Sequence, residues 1–459
     1  MPEVAEVAHA CALLRRNVLG LTVRRAVLPL DNLLFPVLKT AGNPEATIAD
    51  AEKHLTGATI KSLGRHGKYF WLRFETAIGT PSVMLMHFGM TGRIRLRDVH
   101  SHMIFMENGG DKKVLQQKSA NLIVNKVKKE DLAIGDETVE ESGLEGEAEP
   151  EVWPPKFTKF ELFLTNEADR SVELAFLDPR RLARVRFLQG EEYGTDTQLL
   201  SMPPLNSLGP DYSKKGLDNV HEDPDLNGNK AIFDYSSAFS GDPDPLHHGR
   251  PRLTFEEFAQ VVLMKKKPIK AFLLDQDFFA GIGNWVSDEI LYHAKIHPSE
   301  VISKKVLSAA NPVLRRLYDS IIYVMEESVR VEGNAKSFPE NWLMLHRWGK
   351  GRKEPRATTK TGHKVDFQTV GGRTSCFIPE LQKPLEKEEL PEDGPVQVKE
   401  EISRPKKKIA HVKLENGVPK DEVAVTKVRT TRRSRAAATA EVKNEIEEKV
   451  EVKKRRRNG

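Results

Sequence analysis

The chain has 459 residues, 39% of them hydrophobic, and is therefore long enough for two or more packed domains. Its formal net charge is only +5, so local patches of Lys and Arg and not the average charge should decide which partner it binds. Its two cysteines, Cys11 and Cys376, cannot form a four-thiolate zinc site and favour a reducing compartment over a disulfide scaffold. Neither a signal-peptide pattern nor an apolar run of about 20 residues is present, so a soluble intracellular protein without a membrane span is predicted.

The first stretch whose residues could take part in a reaction is Met1-Pro2-Glu3. Removal of Met1 would leave Pro2 with a secondary amine whose pKa lies near about 8, so part of it would be neutral at physiological pH. Such an amine can bond covalently to an electrophilic sugar carbon, and Glu3 stands beside it to donate or accept a proton. Proline after methionine is also common in proteins without this chemistry, so the rest of the chain decides between the two interpretations.

A helix followed by strands is predicted for the first part of the chain. From Glu3 to about Asn17, apolar residues recur every three or four positions, which indicates an amphipathic helix. Strand patterns follow at 22–28, 59–63 and 68–74. The hairpin tip between the last two carries three cationic side chains: Arg65, His66 and Lys68. A solvated turn and a phosphate-binding tip are equally compatible with that pattern.

Two later loops carry side chains suited to a distorted duplex. Met90 lies between two glycines, where a flexible apolar wedge can fill the gap left by an everted base, although packing back into the core is the alternative. Pro179 sets a turn that presents Arg180 and Arg181. Residues 107–152 contain no aromatic residue and much Lys, Glu and Gly, so a disordered insertion is predicted there.

Helix signals dominate the next part. Residues 199–253 are rich in Pro, Gly, Asp and Ser and are predicted to be a linker. Thr254-x-x-Glu257 is a capping box that opens a helix, and a basic stretch containing Lys267 precedes a second helix from Pro268. The sequence Gly281-Ile-Gly283-Asn284 then forms a tight turn whose N–H groups favour an anion at the start of a third helix.

The last part is predicted to contain a hairpin and a tail. A strand-turn-strand pattern at 347–352 is followed by a Gly-Gly turn from which Arg373 should project. Residues 384–459 have no aromatic residue and alternate between acidic and basic runs, so a disordered tail is predicted. Its basic clusters fit nuclear import or weak nucleic-acid contact.

Together these motifs resemble the formamidopyrimidine-DNA glycosylase (Fpg/Nei) family over most of residues 2–383. Five motifs occur in the family's order: Met-Pro-Glu, Gly-Lys68, Gly-Met90-Thr-Gly, Asp-Pro-Arg180-Arg and Gly-Ile-Gly-Asn284. The resemblance implies an α+β multidomain fold with three parts. These are an N-terminal helix plus catalytic β-sandwich domain at 1–198, a helix-two-turn-helix (H2TH) domain at 254–335, and a hairpin finger at 336–383. The thiolates of the usual zinc finger are missing, so the finger is expected to be zincless, as in plant and fungal members.

The same resemblance implies a bifunctional DNA glycosylase and AP lyase that excises oxidised bases without metal or cofactor. Pro2 would be the nucleophile at C1′, Glu3 the proton donor to the sugar ring with support from Glu6, and Lys68 a phosphate-binding residue that assists. Damaged double-stranded DNA is the expected partner, contacted by Met90, Arg180, Arg181, Lys267, Gly283, Asn284 and Arg373. A nuclear monomer is expected, with repair-protein contacts through the tail.

The chain departs from the family's pattern in three further places. Ala5 replaces a second proline of the start motif, and Leu182 stands where a Phe wedge often follows the arginines. The stretch between Val331 and Trp342 is short for the loop that covers an everted base in bacterial members, so lesions other than 8-oxoguanine are expected to be better substrates.

Two other classes of function compete. The first is a protein that binds distorted DNA without cleaving it, and the second is an RNA-binding protein with similar helical turns. Intact Pro2, Glu3 and Lys68 favour the enzyme over the first, and the β-rich N-terminal half favours it over the second.

Overall fold

The computed structural model of the protein describes residues 2–76, 79–103, 152–168, 170–214, 249–349 and 358–388. Residues 1–390 form one compact unit, and the second unit, 391–459, lies outside the described residues. The predicted insertion at 107–152 lies outside the described residues except for residue 152, and the predicted tail at 384–459 lies outside them except for residues 384–388.

An antiparallel eight-stranded sheet with two helices forms the N-terminal half. The spatial order of its strands is β5-β7-β6-β1-β2-β3-β4-β8. The helices are α1 (Val4–Val18) and α2 (Pro44–Leu55), and the strands are β1 (Thr22–Val27), β2 (Thr59–His66), β3 (Tyr69–Glu75), β4 (Ser82–His87), β5 (Arg93–Leu96), β6 (Thr158–Thr165), β7 (Ser171–Leu177) and β8 (Arg184–Gln189).

The sheet bends so that its two halves enclose one core. Register shifts in β1, β2 and β6 mark irregularities of the bulge type, which bend strands. Phe88 packs between the halves, with its ring centroid 4.7 Å from that of Phe70 on β3 and 5.7 Å from that of Phe176 on β7. Val7 and Cys11 of α1 join the same core. The predicted β-sandwich is confirmed.

Helices and a two-stranded hairpin make up the C-terminal half. They are α3 (Asp196–Ser201), α4 (Phe255–Met264), α5 (Ile269–Leu273), α6 (Asn284–Ala294), α7 (Pro312–Arg330), β9 (Asp366–Val370) and β10 (Arg373–Phe377). The capping box is present. The hydroxyl of Thr254 accepts from the N–H of Glu257, and the carboxylate of Glu257 accepts from the N–H of Thr254. None of the helices within the described ranges has both the length and the hydropathy to span a membrane.

Helix α1 contributes to both halves of the fold. Its residues Val4, Ala5 and Ala8 pack in the core of the C-terminal helices, whereas Val7 and Cys11 face the sandwich. The first residues of the chain are therefore fixed with respect to the sheet and to the helices at once.

The hairpin tip between β2 and β3 differs from the prediction of three cations at the surface. Arg65 is fully buried, and its Nη1 donates to Asp211 Oδ2 at 2.6 Å. His66 is also buried, with Nε2 2.9 Å from the carbonyl oxygen of Gly209. Burial alone would raise the pKa of Asp211, but Arg65 and Lys214 outweigh it and lower the pKa. Only Lys68 of the three remains for the site.

The predicted strand at 347–352 is wrong within its described part. Residues Leu343–Gly349 form a 3-10 helix, and residues 350–357 lie outside the described ranges. The buried carboxylate of Glu289 accepts from the N–H groups of Leu343 and Met344 at 3.0 and 2.7 Å. A carboxylate at the first N–H groups stabilises a helical turn.

Two predicted boundaries also shift. Leu199 and Leu205, in the segment predicted as a linker, pack with Trp71 of the sheet, and Tyr212 enters the helical core. Leu385, in the predicted tail, donates its N–H to Glu300 at 2.8 Å. Apolar packing and long-range hydrogen bonds together anchor both segments to the fold.

Candidate active site

The carboxylate of Glu3 is held at the N-terminus of α6. Its two oxygens accept from the backbone N–H groups of Trp285 and Val286 at 3.0 and 3.1 Å, and Glu3 is only 1% exposed. The N–H of Val4 donates to the carbonyl oxygen of Gly281 at 3.2 Å. Helix N-termini favour negative charge, so the turn predicted to attract an anion receives the side chain of Glu3.

Gly283 is required for this approach. A Cβ at that position would lie 2.1 Å from Cδ of Glu3, a separation that atoms do not tolerate. The backbone of Gly283 has an ordinary extended conformation, so the demand is for space and not for a glycine-specific φ. Gly283, which was predicted to contact DNA, therefore leaves the space that the side chain of Glu3 occupies.

We predict that Gly283→Ala displaces Glu3 and destabilises the fold by about 1–3 kcal/mol through overpacking. The activity of the candidate site should fall at least about tenfold as well in single-turnover kinetics, because Glu3 would be misplaced. Gly42→Ala is the matched control, because a Cβ at Gly42 meets nothing within 4 Å. Equal activity in the two variants would contradict the role given to Gly283.

Glu6 lies next to Glu3 and Pro2. Its Oε2 accepts from the N–H of Glu3 at 2.8 Å, and its Oε1 accepts from Nε1 of Trp285 at 3.2 Å. Burial, with the charge of Glu3 adding to it, raises the pKa of Glu6 to about 7. Pro2 and Glu6 both line a pocket of about 180 Å³. Glu6 can therefore give or take a proton at this pocket near neutral pH.

We predict that Glu6 makes the fold less stable as the pH rises from 5 to 8. A carboxyl with a pKa raised above its unfolded value binds more protons when folded, so the free energy of unfolding falls as pH rises between the two pKa values. For Glu6 that window runs from 4.5 to about 7, and the loss is on the order of 1–3 kcal/mol. Urea denaturation of wild type and Glu6→Gln at pH 5.5 and 8 measures it. An identical pH dependence in both proteins would refute the prediction.

Lys68 joins the site from the β2–β3 hairpin. Its Nζ donates to the carbonyl oxygen of Ile282, in the glycine turn before α6, at 2.9 Å. Burial lowers the pKa of Lys68, an effect that Glu3 partly offsets and Arg373 reinforces. Gly67 has a φ of +58°, and a Cβ there would lie 2.8 Å from the backbone nitrogen of Gly281. The hairpin and the glycine turn thus pack backbone against backbone.

Asn284 and Arg373 are brought together by the β9–β10 hairpin. The Nδ2 of Asn284 donates to the carbonyl oxygen of Thr374 at 3.0 Å. Arg373 follows the Gly-Gly turn and is exposed, as predicted from the sequence. Phe367 packs against the small cluster of Leu343, Val365, Cys376 and Ile378 that forms the hairpin's own core.

A buried charge network attaches this hairpin to the helices. Asp288 of α6 pairs with Lys270 of α5, and its Oδ2 accepts from Nη2 of Arg347 at 2.8 Å. The hydroxyl of Ser375 on β10 donates to Oδ1 of Asp288 at 3.0 Å. All four side chains are buried. The network is one of the attachments of the hairpin to α6, together with the hydrogen bond from Asn284 to Thr374.

Asp178 organises the arginine turn. Its buried carboxylate accepts from the N–H groups of Arg180, Leu182 and Ala183 at 3.1, 2.6 and 2.7 Å. It also accepts from the hydroxyl of Thr91 at 2.6 Å. Since Thr91 follows Met90, one carboxylate fixes the turn of Arg180 and the loop of Met90 relative to each other.

Met90 is half-buried and lies outside the described core clusters. Gly89 before it has a φ of +63°, and a Cβ there would lie 2.4 Å from the backbone of Leu182. The N–H of Gly89 donates to Nδ1 of His87 at 3.0 Å. Burial, with Lys68 and Arg184 adding to it, lowers the pKa of His87 to about 4, so its ring is neutral and can accept.

Two predicted contact residues already have carboxylate partners. Arg181 pairs with Asp31 at 3.0 Å, and Lys267 pairs with Asp275 at 2.5 Å. Their side chains remain 52% and 39% exposed. Contact with a phosphate would therefore require each cation to exchange partners.

Sequence reasoning missed the buried acids that organise the site. Asp178 stood inside the recognised Asp-Pro-Arg-Arg motif, but only its arginines were assigned a role. Asp288 and Glu289 lie in α6, where consecutive acids in an otherwise apolar helix are a signal of buried, partnered charge.

Two family models and a curated relative match this chain. A model of the formamidopyrimidine-DNA glycosylase N-terminal domain matches residues 1–185, and a model of the formamidopyrimidine-DNA glycosylase H2TH domain matches residues 242–340. The formamidopyrimidine-DNA glycosylase of Arabidopsis thaliana is 30% identical over 383 residues, which cover 83% of this chain and 71% of the relative. This chain belongs to the formamidopyrimidine-DNA glycosylase family.

More distant members of the formamidopyrimidine-DNA glycosylase family support the same fold. The relative from Heliobacterium modesticaldum is 24% identical over 396 residues, which cover 83% of this chain and 100% of the relative. A solved structure of MutM in complex with carbocyclic 8-oxo-G containing DNA aligns with a TM-score of 0.50 and 18% identity, over 83% of this chain and 100% of that one. In this family member the two matched regions meet where Glu3 contacts α6.

Proposed function

We propose that this protein is a bifunctional DNA glycosylase and AP lyase of base excision repair, which excises formamidopyrimidines and related oxidised bases through a Schiff base at Pro2. The observation that carries the proposal is the contact of Glu3 with the N–H groups of Trp285 and Val286. Pro2 and Glu6, which line one pocket on either side of Glu3 in the sequence, support the same assignment. The name of the Arabidopsis relative supports the substrate class.

The chemistry would begin once Met1 is removed. The nitrogen of Pro2 would bond to C1′ of the damaged nucleotide as the N-glycosidic bond breaks, and the N–H proton of Pro2 would leave with the base. Glu3 in its protonated form would give a proton to the ring oxygen as the C1′–O4′ bond breaks and the iminium forms, and Glu6, with its pKa of about 7, would support these proton transfers. The iminium formed would lose a C2′ proton and break the C3′–O bond, and a second elimination would break the C5′–O bond. Water finally releases Pro2 from the sugar remnant.

DNA binding would use side chains from five separate segments of the chain. Lys68, Asn284 and the exposed Arg373 are suited to phosphates, because cationic and amide N–H groups form charge-assisted bonds with them. Met90 and Arg180, fixed to each other through Asp178, are suited to the space left by the everted nucleotide. The solved structure of MutM in complex with carbocyclic 8-oxo-G containing DNA supports DNA as the partner.

Several broader properties belong to the same proposal. The hairpin with Arg373 would act as a zincless finger whose attachment depends on Asp288 and not on thiolates. The protein would work as a monomer in the nucleus, where basic clusters in the tail would support import and contacts with other repair proteins.

A tail truncation after residue 388 should keep base excision but change localisation, which imaging of a tagged chain would measure.

Borohydride trapping tests the central step. The full chain is incubated with a duplex carrying an abasic site or an oxidised base, and reduction converts an iminium into a stable protein–DNA adduct. We expect the adduct to map to an N-terminal peptide that lacks Met1, and the cleaved strand to carry phosphate on both sides of the gap. A lesion-free duplex is the control. If wild type cleaves DNA without any trapped adduct, the Schiff-base mechanism is wrong.

A further inference from the structure

Three potential metal ligands from distant segments meet beside the pocket. They are His9 of α1, His102 after β5 and Glu332 after α7, and one ligand atom of each lies within 4.8 Å of the others. Nδ1 of His9 is 3.6 Å from Oε2 of Glu332, and the two imidazole centroids are 4.1 Å apart. Ligand atoms around a tetrahedral zinc ion with bonds of 2.0–2.1 Å are separated by about 3.3 Å. Small side-chain movements would close the cluster to that spacing.

The outer hydrogen bonds of both rings suit ligands. Nε2 of His102 donates to the backbone carbonyl oxygen of Glu332 at 3.0 Å, which leaves the lone pair on Nδ1. Nε2 of His9 bonds to the hydroxyl of Ser101 at 2.8 Å, which likewise leaves Nδ1 for a ligand bond. Histidine ligands in proteins almost always use their second nitrogen in this way, because it fixes the tautomer and the ring orientation.

One of these nitrogens is buried and makes a long ionic contact in place of a hydrogen bond. Among the described residues, Nδ1 of His9 has no hydrogen-bond partner, and the side chain is only 6% exposed. The nearest carboxylate oxygen, on Glu332, lies just beyond hydrogen-bond range. A bound cation would replace this long contact with a direct bond to each of the two groups.

We propose that His9, His102 and Glu332 bind one divalent transition-metal ion. Two imidazoles and one carboxylate with an open fourth position match the preference of Zn²⁺. Arg16 donates to both oxygens of Glu332 at 2.6 Å and holds the carboxylate while no metal is bound. Its positive charge would weaken the site relative to one without a neighbouring cation. Because His9 and Ser101 also line the pocket of Pro2 and Glu6, the ion would lie next to that pocket.

Titration with Co²⁺ tests the site in the full chain. The protein is treated with a chelator, dialysed and titrated at pH 7.5, and the visible absorption of Co²⁺ in low-symmetry coordination is followed, with Zn²⁺ added afterwards in competition. We expect one equivalent to bind. His102→Ala and Glu332→Gln should each weaken it at least about tenfold. His363→Ala is the matched control, because His363 pairs with Glu380 at 2.5 Å in the finger region and should leave binding unchanged.

The wild-type protein can decide the matter even where a variant does not fold. Imidazole ligands of Co²⁺ give strongly shifted, exchangeable N–H signals in proton NMR, and two such signals are expected from His9 and His102. Absence of stoichiometric Co²⁺ binding, absence of those signals, or equal affinity in a folded His102→Ala variant would overturn the proposal. None of these measurements depends on DNA cleavage, so the test is independent of the proposed function.

Discussion

Replacing Pro2 by glycine should reduce borohydride trapping on abasic DNA at least about 100-fold. A secondary amine forms an iminium that cannot lose an N–H proton, so it remains a strong electron sink for elimination. Glycine supplies a primary amine, which forms a neutral imine, and it also frees the φ angle that the proline ring fixes. Rates of strand cleavage and of adduct formation in single-turnover experiments measure the effect.

Pro44→Gly is the matched control for that substitution. Pro44 is the first residue of α2, so the same change there removes a proline from a helix start without touching the pocket. It should trap at the wild-type level. Wild-type trapping by Pro2→Gly, with the adduct mapped to Lys68, would show that Lys68 and not Pro2 carries the nucleophile.

Replacing Asp288 by alanine should have the largest effect on stability. The substitution leaves Lys270 and Arg347 buried without their carboxylate, and removal of one partner from a buried pair costs about 3–5 kcal/mol. Ser375 also loses its acceptor, so the hairpin that carries Arg373 should detach from α6. We expect a lower midpoint in urea denaturation and weaker binding to a duplex with an abasic-site analogue.

Asp275→Ala separates this effect from the general loss of an Asp–Lys pair. Asp275 pairs with Lys267 in a partly exposed position of the same domain, where such a pair is worth about 0–1 kcal/mol. If the two variants unfold at the same urea concentration, the Asp288 network does not anchor the hairpin. Asp288→Asn, which keeps one acceptor oxygen, should fall between them.

The sequence was sufficient to predict features whose determining residues lie close together in the chain. The capping box at Thr254, the glycine turn before α6 and the exposed position of Arg373 follow from residues within a few positions of one another. Family membership followed from five such motifs in order. The burial of Arg65 could not be predicted in the same way, because its partner Asp211 lies 146 residues away.

The same limit explains the other differences. The helical turn at Leu343 depends on Glu289, which is 54 residues distant. The position of the Glu3 carboxylate depends on the N–H groups of Trp285 and Val286, which are 282 and 283 residues away. Periodicity and composition describe a residue's immediate neighbours and carry no information on such pairings. The roles given to Pro2 and Arg180 remain predictions for the experiments above.

The contact between Glu3 and α6 has a consequence for protein synthesis. The N-terminal amine leaves the ribosome first, but the two N–H groups that orient the adjacent carboxylate arrive only with Trp285 and Val286. A nascent or prematurely terminated chain that ends before this point therefore lacks the two groups that orient the carboxylate of Glu3. Incomplete copies of the chain cannot assemble the candidate site, because its geometry depends on residues that are synthesised late.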